Sequence, residues 1–249
     1  MKKVFFIFIP VYLVITSFVL PKIRAEKSGF KNDSVKAETD FKAITSLNSS
    51  KADAIFSEID FSNNEQLDED VFEKAFKGFE KLKSDGKLPK ESHVLTIADF
   101  SKSSNSKRLW VIDLDKKKVI FNTLVAHGMG TGDEFAAHFS NTESSHQSSL
   151  GFYITEETYT GKNGFSLKLI GMDKGFNDAA LQRAIVMHGA DYVSNDFAKN
   201  HKRIGRSWGC PAVSRELAEP IINTIKDQNC LFIYYPDQNY LSSSEWLKS

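Results

Sequence analysis

The sequence predicts a mostly β protein of the α+β class, an antiparallel sheet or barrel behind a small N-terminal helical region. Three observations predict it. Apolar residues recur at helical spacing only between Ala52 and Lys83. From His93 onward they instead form short runs rich in Val, Ile, Leu and Phe. Polar, Gly- and Asn-containing stretches separate those runs, the usual punctuation of short strands.

The helical part holds Ile55, Phe56 and Ile59, then Val71, Phe72, Ala75, Phe76, Phe79 and Leu82. Such spacing describes an amphipathic helical pair joined by a polar turn. That turn, Asp60 to Gln66, superficially resembles a calcium loop, but Glu65 stands where the sharp bend needs glycine and Val71 where the bidentate glutamate belongs. Helix capping explains its residues better. Gly86 and Pro89 close this part.

The strands follow in order: His93–Phe100, Leu109–Leu114, a tight turn at Asp115–Lys118, and Val119–Ala126. After Gly128 comes a long loop of Ser, Asn and His. Gly151–Thr155 and Phe165–Ile170 resume the strands. Asn177–Ala184 reads as a short helix and Ile185–Met187 as a short buried strand. Ser214 is placed to cap a helix carrying Leu217, Ile221, Ile222 and Ile225 on one face, with Pro220 predicting a broken start or kink. The final strand begins at Cys230. No internal repeat is present.

The chain has 249 residues with 32 basic and 32 acidic side chains, 41% hydrophobic and 26% charged. That is the balance of a folded domain and excludes collagen-like, low-complexity and fully disordered chains. Neutrality gives no electrostatic footprint for nucleic acid. The opening Met1-Lys2-Lys3 precedes an uncharged run from Val4 to Leu20, and Pro21-Lys22-Ile23-Arg24-Ala25 follows. A basic start, an apolar stretch and a small residue at a cut site describe a secretory signal, here residues 1–25, favoured over an uncleaved anchor because Pro10 weakens a spanning helix. Its removal leaves 28 basic and 32 acidic groups. The organisation is then a signal (1–25), a linker and helical region (26–90) and a catalytic-type β domain (91–240). The destination is the periplasm or cell envelope.

Export favours disulfides, and Cys210 and Cys230 are the only cysteines. Their settings nevertheless differ. Cys230 opens the apolar run Cys230-Leu231-Phe232-Ile233, where a free cysteine behaves as a small hydrophobe. Cys210 sits in Gly205-Arg206-Ser207-Trp208-Gly209-Cys210-Pro211, a glycine-bounded turn. A second segment, Val186-Met187-His188-Gly189-Ala190, ends an apolar run in histidine and glycine. Thiol acyl transfer needs a thiolate, and an ordinary Cys of pKa ~8.5 is only a few per cent ionised at neutral pH. A nearby imidazole takes that proton or holds the sulfur as an ion pair. Glycine beside the cysteine lets backbone N–H groups approach a developing oxyanion, one such donor lowering the barrier by ~3 kcal/mol.

His188-Gly189 followed by Arg206-Ser207-Trp208-Gly209-Cys210 resembles the L,D-transpeptidase catalytic-domain family of bacterial cell walls. That family carries a histidine–glycine pair and then a serine-x-glycine-cysteine signature. The similarity extends upstream through Leu109–Leu114, Val119–Gly128 and Ser148–Phe152, covering roughly residues 93–236. It implies a YkuD-like β-barrel or sandwich and a cysteine nucleophile that attacks the amide after the L-centre of diaminopimelate in a peptidoglycan stem tetrapeptide. D-alanine leaves, a thioester remains, and an amine of a second stem resolves it to a 3→3 cross-link. On this resemblance Cys210 is the nucleophile, His188 the general base, and the carbonyl of Gly189 or its neighbour orients the imidazole. The amides of Trp208, Gly209 and Cys210 are candidate oxyanion donors, and Ser207 matches the signature serine.

Two departures stand out. Ala212 occupies a position where many members have arginine, so that Arg206 or Arg215 would supply charge to a stem carboxylate. Trp208 replaces the usual histidine, which puts the acceptor in doubt and leaves water as an alternative, making an L,D-carboxypeptidase or cross-link hydrolase. Trp208 itself stacks on substrate or fills a gap beneath the turn.

His127-Gly128-Met129-Gly130 either lines the cleft or is a glycine-rich turn with a surface histidine. Arg183 is an ion-pair partner or a carboxylate binder. His138, His146 and His201 lie in polar loops and read as solvated. No ligand spacing supports zinc at His127, His188 and Cys210, and no cofactor motif is present. Two other classes stay open: a non-catalytic wall-binding module with an idle cysteine, and a sortase-like enzyme, whose threonine-rich strand is missing here. Oligomeric state is not legible.

Overall fold

The computed structural model describes residues 51–248; the expected signal segment and the first part of the linker lie outside them. Helix α1 (51–58) leads through a polar turn to α2 (Glu69–Ser84). Asp68 caps α2 by accepting from the N–H groups of Asp70 and Val71. Glu69 and Asp70 in the first turn and Lys81 and Lys83 in the last complement the helix dipole. Its apolar face buries Phe72, Phe76 and Phe79, each stabilising the fold by roughly 1.5–3 kcal/mol. The polar turn before α2 docks on the sheet, where Asp60 N–H donates to Lys117 O at 2.8 Å.

Eight strands follow: β1 (Val94–Asp99), β2 (Leu109–Asp113), β3 (Lys118–Thr123), β4 (Gly151–Gly161), β5 (Gly164–Gly171), β6 (Val186–Ala190), β7 (Ala212–Ser214) and β8 (Cys230–Tyr234). They form one sheet in the order β3-β2-β1-β8-β4-β5-β6-β7. The chain just after β3 then pairs with β7 through Ala126 and Ala212. This bridge brings the two ends of the sheet together, which is how a barrel-like sheet removes its exposed edges. A single hydrophobic cluster runs from Ala52 on α1 through Phe79 and Phe152 to Trp246, so the helices and the sheet share a core. Gly78 marks a close approach of α2 to the sheet, because a Cβ there would stand 2.1 Å from the Phe152 ring.

The sheet is mixed, not purely antiparallel. β1 runs parallel to β8, and β6 runs parallel to β7. Parallel neighbours need a long crossover, and between β6 and β7 residues 191–211 supply it. That crossover contains α3 (Asn195–His201), an element without a strong apolar period, none of whose residues is buried.

Two further expectations change. Asn177–Ala184 is a series of turns, not a helix. Its backbone bonds alternate between three- and four-residue spans, and Ala184 adopts φ 54°. Helix α4 (Arg215–Ile225) runs without a break through Pro220, and Ser214 occupies its N-cap without a side-chain cap bond. Its buried Ala218, Ile221, Ile222 and Ile225 hold it on the core. Helix α5 (Gln238–Ser243) closes the chain against the buried Asp173. That carboxylate accepts from Phe152 N–H (2.7 Å), from Tyr240 OH (3.4 Å) and from Ser244 Oγ.

Candidate active site

The parallel pairing of β6 with β7 sets the geometry. His188 is level with Ala212 in that register, which puts Cys210, just before β7, level with Val186. The cysteine therefore lies beside the strand that carries the histidine, two residues from it.

The turn before Cys210 is held from three sides. Ser207 N–H donates to His127 O (3.0 Å), and Met129 N–H to Ser207 O (2.8 Å). Ser148 Oγ donates to Gly209 O (3.0 Å) and accepts from Gly128 N–H (3.0 Å). Within the turn, Ser207 Oγ donates to Cys210 O (2.6 Å) and accepts from Gly209 N–H (3.0 Å). Gly209 has φ 120°, where a side chain is strained, and a Cβ would meet Gln147 O at 2.8 Å. At Gly128 a Cβ would stand 2.4 Å from His146 O. Both glycines let three backbone segments interlock.

His188 is buried, and its Nδ1 lies 3.1 Å from Gly189 O. A carbonyl only accepts, so Nδ1 carries the proton and Nε2 of the neutral ring keeps its lone pair. Burial is the largest influence on this ring and holds its pKa below the ordinary histidine value; the Gly189 carbonyl opposes that, and Arg215 adds to it. Gly189 itself abuts α4, where a Cβ would stand 2.8 Å from Ala218 Cβ.

Cys210 is partly buried and free, and Cys230 is buried and free. The Cys210 thiol points to Ala184 O at 3.8 Å. Burial raises its pKa, while the Val186 backbone N–H and the Arg183 guanidinium pull it back. Among the described residues no hydrogen bond joins Sγ to the His188 ring. Burial thus disfavours charge on both the thiol, just before β7, and the imidazole, on β6.

Arg183 is neither an ion-pair partner nor free for a carboxylate. It donates to Ser140 O (2.7 Å), Gln147 O (2.7 Å), Ser145 Oγ (3.2 Å) and Ser149 Oγ, clamping the loop behind the turn. Arg206 pairs with Asp133 at 2.7 Å and donates to Gly132 O at 3.0 Å. Arg215 pairs with Asp191 at 2.6 Å. Both arginines named as carboxylate binders therefore already have a carboxylate.

His127 is corrected outright: it is 1% exposed, neither a cleft residue nor a surface one. Its Nδ1 lies 2.8 Å from Arg108 Nη2 and its Nε2 3.2 Å from Gly132 O. Arg108 is wholly buried, and it also donates to Val125 O at 3.1 Å and to Lys102 O at 2.8 Å. Burial and the guanidinium lower the His127 pKa to about 4. Its run of His-Gly-Met-Gly looked like a surface turn because the buried partner, Arg108, lies far upstream.

Gly209 is corrected as an oxyanion donor, since Ser207 takes its N–H. The N–H groups of Trp208 and Cys210 donate to no acceptor among the described residues. Trp208 fills no gap beneath the turn. It is 72% exposed and stacks on His146 with ring centroids 5.0 Å apart. His146 is accordingly a half-buried support, not a solvated loop residue, whereas His138 and His201 are exposed. No cluster of three or more His, Cys, Asp or Glu side chains suited to a metal is found among the described residues.

A β domain that sets a cysteine, in the turn just before β7, beside the strand carrying a histidine is the class that fold and site define. The L,D-transpeptidase catalytic domain matches residues 63–234, and the chain belongs to that family. The match reaches further upstream than the sequence resemblance did and takes in α2. The family acts on peptidoglycan stem peptides. No curated protein matches. Among solved structures, the chain is similar to an L,D-transpeptidase from Mycobacterium smegmatis (10% identity, 58% of this chain and 59% of that one, TM-score 0.36). It is also similar to the helical cell shape determining protein Pgp2 from Campylobacter jejuni (13%, 60% and 50%, TM-score 0.40). A third is an L,D-transpeptidase from Stackebrandtia nassauensis (15%, 68% and 68%, TM-score 0.34). The chain spans 59% of the length of the first of these.

Proposed function

We propose that the protein is an exported cysteine acyltransferase that performs L,D-transpeptidation on peptidoglycan stem peptides through a thioester on Cys210. One observation carries the reading: Cys210 is held by an interlocked turn against β6, the strand on which His188 has its Nδ1 proton committed to Gly189 O.

That commitment leaves Nε2 as the base. Substrate binding turns the thiol from Ala184 O toward the ring, and Nε2 accepts the thiol proton as sulfur attacks the amide carbonyl. The free N–H groups of Cys210 and Trp208 are the available oxyanion donors, each lowering the barrier by ~3 kcal/mol when aligned. Collapse breaks the C–N bond, and the imidazolium protonates the departing D-alanine amine. An acceptor amine then attacks the thioester, giving its proton to Nε2, and the thiol is restored. Water in place of the amine makes the L,D-carboxypeptidase reaction.

Purified protein incubated with a tetrapeptide muropeptide should release D-alanine. Cys210→Ala should abolish release, His188→Ala should lower it about 10²–10⁴-fold, and Cys230→Ser should leave it intact. Equal release by the Cys210 variant would overturn the reading and leave a non-catalytic wall-binding module.

A further inference from the structure

Trp208 is the most exposed of the large hydrophobic side chains among the described residues, at 72%. It stands two residues from Cys210, so the two Cα atoms are within about 7.6 Å. One face of its indole lies on the His146 ring, at an interplanar angle of 17°. The support is built. His146 holds the left-handed conformation (φ 55°), uncommon for a residue with a side chain. Its carbonyl accepts from Gly130 N–H at 2.9 Å, and Arg183 pins the adjacent Gln147 carbonyl. The nearest cation on the turn, Arg206, is neutralised by Asp133. A large aromatic face is thus held against His146 and open to solvent, and the turn's own arginine is already paired.

We infer that Trp208, backed by His146, is the acceptor-binding residue of the proposed reaction: its open face holds the primary ammonium of the acceptor stem's diaminopimelate side chain beside the Cys210 thioester. This rests on the proposed function. An indole is the best side-chain partner for an ammonium through cation–π attraction. The bound ammonium loses one proton to solvent to become the attacking amine. As the new C–N bond forms, its second proton passes to His188 Nε2, the C–S bond breaks, and the sulfur is reprotonated from the imidazolium.

The test follows D-alanine release and cross-linked dimer separately, in wild type, Trp208→Phe and Trp208→Leu, with tetrapeptide muropeptide as donor and as acceptor. A cation–π contact at so exposed a ring is worth about 0.5–1 kcal/mol, or about two- to fivefold. The ratio of dimer to hydrolysed tripeptide should therefore fall about two- to fivefold in Trp208→Leu and less in Trp208→Phe, with the loss appearing as a raised KM for acceptor. An unchanged ratio in Trp208→Leu overturns the inference while the proposed function stands. Wild type that releases D-alanine but forms no dimer also overturns it. Wild type that releases no D-alanine removes the proposed function itself. Circular dichroism and thermal unfolding of each variant separate a lost platform from a lost fold.

Discussion

Ser207 Oγ donates to the carbonyl of Cys210 at 2.6 Å while accepting the N–H of Gly209 at 3.0 Å. One hydroxyl therefore closes the turn that presents the cysteine. The side chain belongs to the turn's framework.

Ser207→Ala should destabilise the protein by about 1–3 kcal/mol, because it leaves two buried polar groups unpaired. Urea unfolding measures that loss. The same variant should alkylate faster at Cys210, since the turn is freed; an unchanged alkylation rate would show that the hydroxyl does not hold the sulfur in place.

Alkylation of native protein should show a single reacting thiol. Its rate should keep rising with pH beyond the ordinary thiol value of ~8.5, because burial raises the Cys210 pKa. Cys230, buried in β8 and shifted upward by burial, should react only on unfolding. A rate that levels off near neutral pH would mean a resting thiolate–imidazolium pair instead.

The base must be neutral to accept a proton, and burial lowers the His188 pKa below its ordinary 6.5. The acid limb of kcat/KM for D-alanine release should accordingly fall with decreasing pH at a midpoint below 6.5. A midpoint above that value would assign the limb to another group.

His127 and Asp173 tilt stability in opposite directions. The His127 pKa is lowered from 6.5 to about 4, so the unfolded chain binds more protons there and stability is lost as pH falls from 6.5 to 4. The Asp173 pKa is raised from 3.8 to about 6, chiefly by burial, so its folded form binds more protons and stability is lost as pH rises through 6. Each amounts to about 3 kcal/mol at most, and over that window they offset one another. Asp173→Asn should therefore lose stability on acidification from pH 6.5 to 4.5 more steeply than wild type in urea titrations. Parallel pH profiles for the two proteins would refute the assignment.

The strands β1, β2 and β8, the buried face of α2 and the core role of Cys230 were legible because burial leaves a periodic apolar imprint on the chain itself. Cys210, His188 and Gly189 also stand out in the sequence by residue type, and the fold sets them along and beside β6. Long-range pairing leaves no such imprint. Only the folded structure shows β6 beside β7 in parallel, Arg108 reaching His127, Ser207 consuming the Gly209 N–H, and Arg206 and Arg215 already paired with Asp133 and Asp191. Residue types and spacing determined which groups this protein has for chemistry. Which of them remain unpartnered was decided by tertiary contacts, because a hydrogen bond or ion pair depends on distances in space that sequence separation does not encode.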